Sequence, residues 1–460
     1  MIRKDKIIFV IYLPWVLSCV LSYNAEISFL VAWLGSFFIF YVTIFSPLAP
    51  LRVSETKGFL VMKPLILTQL VFAGFMCCTS IFYFLDNYEG EVDLIGQCQR
   101  LSLLAHASMV AGMVALIKPD LQPKKQGENL NLNLVLGICL LSYLVAKVLN
   151  YLPPLIQFKY PLQVLSITTA IYLFIINMSL RSIFHKVAGL TIFGVQFIES
   201  TLTGYKEGII IQILTLAFLS FHYYPRVVLI TTLPSLAIAL YFLPTYTLVM
   251  RAESWENGTA APIARDQAYQ TFFNEGAEQL VMENNWTFLT NRFSEIGMFV
   301  KYLKHTPDYE DFMGTEIIEN SFISLIPRTL WDEKPVTEVV AMERVYNAGV
   351  ANPASSVSAK TRLVVDGYLM WGAPGVFLLM LAYGIVTQKV SNLAEKLFGG
   401  YELGCMIIFN SLFQQLWRGN TLEFLLNNLL YGLLLMLVIY IVLKAGNFIE
   451  PTIGNENYTD

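Results

Sequence analysis

The chain has 460 residues, of which 55% are hydrophobic and 14% are charged, and its formal net charge is -4. Soluble proteins carry about 25% charged residues, so this composition excludes an ordinary soluble globular protein. The small negative net charge also argues against nucleic acid as a partner. Apolar runs of roughly 20 residues, the length that crosses a bilayer, instead indicate a multi-pass membrane protein.

The apolar runs predict an all-α fold with about twelve transmembrane helices. In chain order the predicted spans are 7–23, 27–45, 64–85, 98–117, 131–150, 160–180, 187–203, 208–223, 226–248, 370–389, 402–417 and 421–443. They divide the chain into spans one to nine within 1–250, a long polar loop at 251–368, spans ten to twelve within 369–445 and a tail at 446–460.

Loop charge predicts the orientation of these spans, because basic residues favour the cytoplasmic side of a membrane. Basic residues precede the first span, fill alternate loops and follow the last span: Arg3, Lys4, Lys6, Arg52, Lys57, Lys63, Lys118, Lys124, Lys125, Arg181, Lys186, Arg226, Lys396 and Lys444. The loop from Asp86 to Asp93, on the other side, is acidic. We therefore expect both termini in the cytoplasm and the polar loop at 251–368 on the outer face.

The polar loop at 251–368 contains tryptophans and many other large apolar residues, so we expect it to be ordered against the membrane domain. The spacing of its apolar residues predicts helices over 266–282 and 288–304, with glycines and prolines marking turns in the rest. The sequence thus predicts short helices in this loop, some lying along the membrane surface, rather than an independent sheet domain.

The cysteines and histidines do not form a recognisable metal or disulfide pattern. All six cysteines lie in or beside apolar spans, so we interpret them as small apolar core residues. The four histidines lack metal-ligand spacing, and we interpret His106 as a hydrogen-bonded core residue. Walker and Rossmann motifs are also absent from the sequence. We therefore expect neither a metal nor a cofactor.

Charged residues gather on the predicted outer face, where basic residues are unusual. The junction between spans seven and eight holds Lys206 and Glu207, and the junction between spans eleven and twelve holds Arg418. The long loop adds Arg292, Glu295, Arg328, Lys334, Arg344, Lys360, Arg362 and Asp366. Cations around one cavity can hold a pyrophosphate, and a carboxylate beside them can take a proton from an attacking hydroxyl.

Each of these charges also has a structural interpretation, as a solvated loop residue or an interfacial anchor. Taken singly, Lys360, Arg344 and Lys301 are interpreted in this way. Arg328 and Arg418 are assigned a function instead, because they lie in apolar and aromatic sequence, where an unpaired charge is costly. For the adjacent charges between spans seven and eight, both interpretations stay open.

Four segments of the outer loop and its flanks carry a recognisable pattern. They are GYKEG at 204–208, NRFSE at 291–295, IPRTLWDEKP at 326–335 after Gly314, and the stretch 355–375, which ends in DGYLMWGAPG. These segments, with Arg418-Gly419, resemble the Wzy-type polysaccharide polymerases of bacterial envelopes, which include O-antigen and enterobacterial common antigen polymerases. The resemblance covers topology over the whole chain and sequence from about 200 to 425. Lys206 stands where the family has arginine.

The resemblance implies a metal-independent glycosyltransferase of the bacterial inner membrane. Such an enzyme transfers a growing undecaprenyl-pyrophosphate-linked glycan onto the next lipid-linked repeat unit at the outer face. Its partners would be these lipid-linked oligosaccharides, membrane lipid, a chain-length regulator of the Wzz type and a flippase of the Wzx type.

The resemblance and the charge pattern together assign roles to individual residues. The expected catalytic residues are Arg328, Arg418, Glu295 and Asp366, with Glu295 or Asp366 as the base. The expected substrate-binding residues are Lys206, Glu207, Arg292, Lys334 and Trp331. We expect Arg328 to point into a structured cavity and to share one outward-opening pocket with Arg418 and Lys206.

Other functions are compatible with the same features. An O-antigen ligase, or another lipid-linked sugar transferase, would share the cation-lined cavity and the long outer loop. A flippase or secondary transporter is a rival of another class, but transporters usually carry midplane charges and repeated halves, which this sequence lacks. A scaffold or a polymer-export component is a further alternative.

Overall fold

The computed structural model describes residues 4–50, 63–117, 131–175, 183–202, 206–221, 223–253, 259–274, 276–328, 330–331, 333–354, 359–398, 401–417 and 419–448. Every regular element in these ranges is helical. The helices are α1 (Lys4–Val20), α2 (Ala25–Phe40), α3 (Pro64–Ala73), α4 (Ser80–Asp86), α5 (Val92–Leu116), α6 (Leu132–Val148), α7 (Lys159–Ile175), α8 (Ile183–Leu202), α9 (Lys206–Phe221), α10 (Pro225–Arg251), α11 (Ala261–Gln270), α12 (Ala277–Phe288), α13 (Ile296–His305), α14 (Glu316–Leu325), α15 (Thr337–Asn347), α16 (Leu363–Phe398), α17 (Tyr401–Phe409), α18 (Gln415–Trp417) and α19 (Leu422–Ala445). π-helical turns extend or join them at Tyr41–Phe45, Gly74–Cys78, Leu289–Phe293 and Asn410–Gln414.

Eight helical stretches among the described residues are long and apolar enough to cross a membrane, which indicates an integral membrane protein. They are Lys4–Tyr23, Ala25–Phe45, Pro64–Asp86, Leu132–Tyr151, Leu155–Ile175, Pro225–Met250, Leu363–Phe398 and Leu422–Ala445. Each coincides with a predicted span. The other four predicted spans, 98–117, 187–203, 208–223 and 402–417, fall on helices that lack the length or the apolarity of a candidate span.

Helix α5 explains one of these differences. It packs against α1, α2, α3, α13 and α16, so other helices rather than lipid surround it. A helix in that position can carry polar side chains, provided that they find partners. Gln99 donates to the Cys77 carbonyl at 3.1 Å, and His106 Nε2 lies 3.1 Å from Gln69 Oε1. The interpretation of His106 as a hydrogen-bonded core residue is therefore confirmed.

The cysteines behave as the sequence predicts. All six are free thiols, four of them buried and the other two partly buried. Their role as small apolar packing residues is confirmed.

Close contact between backbones fixes α16 against α5. Any side chain added at Gly384 would collide with the backbone carbonyl of Met109, so glycine is required at this crossing. Since α16 carries part of the candidate site described below, this contact positions that site relative to the rest of the helices.

The polar loop at 251–368, called the polar segment from here on, contains the short helices α11 to α15. It contacts α16 at a kink in that helix. The kink lies at Gly372, whose φ of 64° is outside the helical range. Two residues later Pro374 has no N–H to donate and would crowd the Met370 carbonyl four residues before it. That carbonyl instead accepts a hydrogen bond from the Gly314 N–H at 3.1 Å. The break in α16 thus provides a backbone acceptor that anchors the polar segment.

Candidate functional site

Three charged side chains are buried together where the polar segment meets α16 and α19. Arg344 Nη1 and Nη2 donate to the two carboxylate oxygens of Glu423, each at 2.8 Å, and Nη2 lies 3.2 Å from Asp366 Oδ1. Arg344 is 4% exposed, Asp366 0% and Glu423 1%. We call Arg344, Asp366 and Glu423 the buried ion triad.

Helix termini explain why the two acids lie here. Asp366 and Glu423 occupy the first turns of α16 and α19, where free N–H groups and the helix dipole favour negative charge. Asp366 Oδ2 accepts a hydrogen bond from the Leu422 N–H at 2.8 Å, so it caps the start of α19 from a neighbouring helix. Its other oxygen, Oδ1, accepts a bond from the Thr361 hydroxyl at 2.5 Å.

These contacts limit what Asp366 can do chemically. A general base must come within hydrogen-bonding distance of the substrate hydroxyl. Both oxygens of Asp366 already accept hydrogen bonds from the protein, and the side chain has no exposure. The geometry therefore favours a positioning role for Asp366 over the catalytic role expected from the sequence.

The interpretation of Arg344 as a solvated loop charge is wrong. Its guanidinium is buried on the last turn of α15 and forms a two-point contact with Glu423, a geometry that suits arginine particularly well. Burial alone would lower the pKa of Arg344, but the nearby Asp366 and Glu423 raise it above its ordinary value. Arg344 therefore stays charged. Lys301, by contrast, is exposed, as interpreted.

A second ion pair, between Glu295 and Arg362, lies beside the buried ion triad. Its side chains are 17% and 12% exposed, respectively. Arg362 also donates to the Leu416 carbonyl at 3.3 Å and lies 5.5 Å from the centre of the Phe75 ring. Because Arg362 precedes Asp366 by one helical turn, this pair adjoins the triad. Glu295 is less enclosed than Asp366, which keeps it as the better candidate for the base.

Gly419 packs directly on Arg362. Its φ is +65°, and a side chain added there would collide with the Arg362 guanidinium. Gly314 has a similar φ of +59°, but a Cβ added there would meet open space. Comparing substitutions at Gly419 and Gly314 therefore separates the cost of backbone strain from the cost of a collision with Arg362.

We expect Gly419→Ala to lower the thermal unfolding temperature of the purified protein clearly more than Gly314→Ala. Both substitutions force a left-handed backbone, at roughly 1–2 kcal/mol. Only Gly419→Ala also displaces the guanidinium from its contacts with Glu295 and Leu416, which should cost about 1 kcal/mol more. Equal losses for the two variants would show that Arg362 does not depend on this packing.

The turn that carries Arg328 differs from the sequence expectation. Arg328 was expected to point into a structured cavity, but it is exposed, so that placement is wrong. The following Leu330 and Trp331 are also exposed and leave the guanidinium uncovered. Among the described residues no carboxylate forms an ion pair with Arg328, so its charge is available to an anion.

Lys334 stabilises the turn that carries Arg328. It is buried, and its ammonium group donates to the carbonyls of Ser324 at 2.7 Å and Ile326 at 2.9 Å. Burial, and next the positive charge of Arg328, lower the pKa of Lys334. These contacts favour a structural role for Lys334 over the predicted role in substrate binding.

The same turn is tied to the start of α19. The Ser324 hydroxyl donates to the Glu423 carbonyl at 3.1 Å, and Asn427 donates to the Ser324 carbonyl at 3.0 Å. Helix α14 thus packs against the start of α19 and brings the Arg328 turn close to Glu423 of the buried ion triad.

The remaining predicted residues are only partly described. Arg292 is exposed on the π-helical turn Leu289–Phe293. Arg418 lies outside the described residues, as do the side chains of Lys206 and Glu207. The shared pocket of Arg328, Arg418 and Lys206 therefore stays a prediction.

Fold and site together define an all-helical protein with candidate membrane spans and a polar helical segment docked over a buried charge cluster. A family model described as a domain of unknown function, DUF8712, matches residues 13–451, and the chain belongs to that family. No curated protein and no solved structure matches the chain.

Proposed function

We propose that the protein is a membrane glycosyltransferase that polymerises lipid-linked oligosaccharides. The observation that carries this proposal is the buried ion triad with the adjoining Glu295–Arg362 pair. Ionisable groups buried at the ends of apolar helices are costly and usually serve a function. Here they are combined with the exposed Arg328, whose turn is tied to the same helix ends.

The proposed reaction needs an anion-binding group and a base. Arg328, together with Arg292 and Arg418, would bind the pyrophosphate of the undecaprenyl-linked donor glycan. Glu295 would accept the proton of the acceptor hydroxyl. The acceptor oxygen forms a bond to the anomeric carbon, and the bond from that carbon to the pyrophosphate oxygen breaks. The products are a lengthened lipid-linked glycan and undecaprenyl pyrophosphate, with no oxidant, nucleotide or metal consumed.

In this reaction the buried ion triad has a positioning role. Arg344 joins α15 to α16 and α19, and Asp366 caps α19 from α16. Fixing these three helices fixes Arg362, and Arg362 holds the carboxylate of Glu295. Preorganisation of this kind lets a site act on a transition state without first rearranging.

The proposal includes twelve spans, cytoplasmic termini and an outer-face position for 251–368. Alkaline phosphatase fused near Asn285 is then expected to be active, because this reporter works only after export. A fluorescent protein fused at the C-terminus should fluoresce. A cytoplasmic reporter that works at Asn285 would contradict the orientation and with it the outer-face reaction.

Deletion of the gene tests the function in the cell. Loss of a polymerase should abolish the long polysaccharide while single repeat units remain on the lipid carrier at the outer face. Loss of a ligase would instead leave finished polymer on the carrier, and loss of a flippase would leave single units on the cytoplasmic face. Either of those two patterns, or an unchanged polymer, would overturn the proposal.

A further inference from the structure

A polar cavity lies away from the ion triad, between α6, α7, α8, α9 and the π-helical turn Asn410–Gln414. Its volume is about 390 Å³. Most of its lining side chains are polar, among them Lys147, Lys159, Gln163, Gln196, Glu199 and Gln212. Helices α6 and α7 belong to candidate membrane spans. Polar groups collected between such helices commonly mark a substrate site.

Two buried glutamines in the cavity wall have hydrogen-bonding capacity left over. Gln196 is 1% exposed and Gln212 is 3% exposed. The amide nitrogen of Gln196 donates to the Ser166 hydroxyl at 3.2 Å, and that of Gln212 donates to the backbone carbonyl of Gln196 at 3.3 Å. Neither side-chain amide oxygen has a donor among the described residues, and that of Gln414, which also lines the cavity, shares this property. Buried oxygens of this kind are suited to accept bonds from ligand hydroxyls.

The rim of the cavity adds charged and aromatic groups. Lys147 pairs with Glu199 at 2.7 Å, and the Tyr143 hydroxyl donates to the same carboxylate at 2.9 Å. Amides, a carboxylate, a lysine and a tyrosine offer both donors and acceptors, as recognition of a polyhydroxylated ligand requires.

A narrow apolar crevice, with a volume of about 20 Å³, lies next to the polar cavity. The two share Ile211, Thr215 and Gln414 in their walls. The rest of the crevice is lined by Leu67, Val71, Leu214, Phe218, Phe409 and Phe413. The crevice has room for about one water molecule, so the polar cavity alone is large enough for a ligand.

The π-helical turn connects this cavity to the candidate site. Gln414 lines the cavity, whereas the next residue, Gln415, accepts a hydrogen bond from Asn420 at 2.5 Å. Lys360 in turn donates to Asn420 at 3.1 Å, and Arg362 donates to Leu416. The stretch from Gln414 to Leu416 thus contacts both the polar cavity and the residues beside the candidate site.

We infer that this cavity binds the saccharide head of a lipid-linked saccharide. The inference rests on the proposed function, because a polymerase must hold two lipid-linked saccharides at once, and it assigns one of them to this cavity. Gln196 and Gln212 accept hydrogen bonds from the sugar hydroxyls.

Native mass spectrometry of the full-length protein tests the inference. The probe is the pool of lipid-linked saccharides extracted from the protein's own strain, and sugar-free undecaprenyl pyrophosphate is the reference lipid. The wild type is expected to prefer the saccharide lipids. The Gln196→Met, Gln212→Met double variant keeps side-chain length but loses the amides, and its preference should fall at least about tenfold.

Gln388→Met is the matched control. Gln388 is also buried and has an amide oxygen without a donor among the described residues, but it lies on α16 and does not line the cavity. Its variant should bind like the wild type. If the double variant does not accumulate in the membrane, Gln414→Met is measured in its place, with the same expected loss.

Two results would overturn the inference: a wild type with no preference for saccharide lipids, or glutamine variants that keep the preference. These outcomes are separable from failure of the proposed function. Normal polymer in the deletion strain, with binding that depends on the glutamines, would refute the polymerase and leave the saccharide site standing. Loss of polymer on deletion, with saccharide-lipid binding that does not depend on the glutamines, would refute this site alone.

Discussion

Replacing Arg344 with alanine is expected to lower the free energy of unfolding by about 3–5 kcal/mol, because it leaves two buried carboxylates without their cation. Asp366 and Glu423 have essentially no exposure, so water cannot take the place of the guanidinium. The measurement is thermal unfolding of the purified protein in detergent. Arg292→Ala removes an exposed arginine from the same polar segment and should change stability by about 0.5 kcal/mol or less.

A neutral triple variant separates loss of charge balance from loss of packing. Combining Arg344→Met with Asp366→Asn and Glu423→Gln removes all three charges while keeping similar side-chain volumes. Removing all three charges together leaves no buried charge without a partner. The triple variant should therefore unfold at a higher temperature than Arg344→Ala. A single variant as stable as the wild type, or a triple variant no better than the single one, would contradict the account of the triad.

The second large effect is expected at Arg328, in activity rather than stability. Arg328 is exposed and forms no ion pair with a described carboxylate, so Arg328→Ala should leave the fold intact. Removing a charged group that stabilises a transition state commonly lowers the rate about 100-fold or more. We therefore expect polymer to disappear while single lipid-linked units remain. Arg328→Lys should also be poor, because an ammonium cannot make the two-point contact of a guanidinium.

The readout is a polysaccharide gel, with the protein level checked in the same membranes. Arg265→Ala serves as the control, because Arg265 is also an exposed arginine but lies on α11, outside the candidate site. Normal ladders from both Arg328 variants at normal protein levels would remove Arg328 from the proposed mechanism.

Hydropathy predicted the all-helical class and eight apolar helices correctly, because lipid-facing helices must be apolar along their whole length. It was less informative for α5. Hydropathy predicted a span at 98–117, but α5 is enclosed by other helices and carries Gln99, Arg100 and His106, so it lacks the apolarity of a candidate span. Periodicity also indicated helices in the polar segment, but the kink at Gly372, which anchors it, depends on a backbone bond to Gly314 far away in sequence.

The candidate site was harder to predict for a related reason. Arg344 lies on a polar stretch and, taken alone, has the sequence environment of a solvated charge. Its partner Glu423 is 79 residues away, so burial of the pair is a property of tertiary structure. The one local signal was Glu423 itself, an acid in the first turn of a mostly apolar helix. Conversely, the aromatic neighbours of Arg328 suggested burial, but those side chains are themselves exposed.

Reconstitution of the purified protein in liposomes with lipid-linked repeat units tests the central claim most directly. The assay contains no nucleotide and includes a metal chelator. The account predicts products of two or more repeat units on one lipid carrier, together with released undecaprenyl pyrophosphate, and far less of both with Arg328→Ala. Repeat units that stay single in the presence of folded wild-type protein would contradict it.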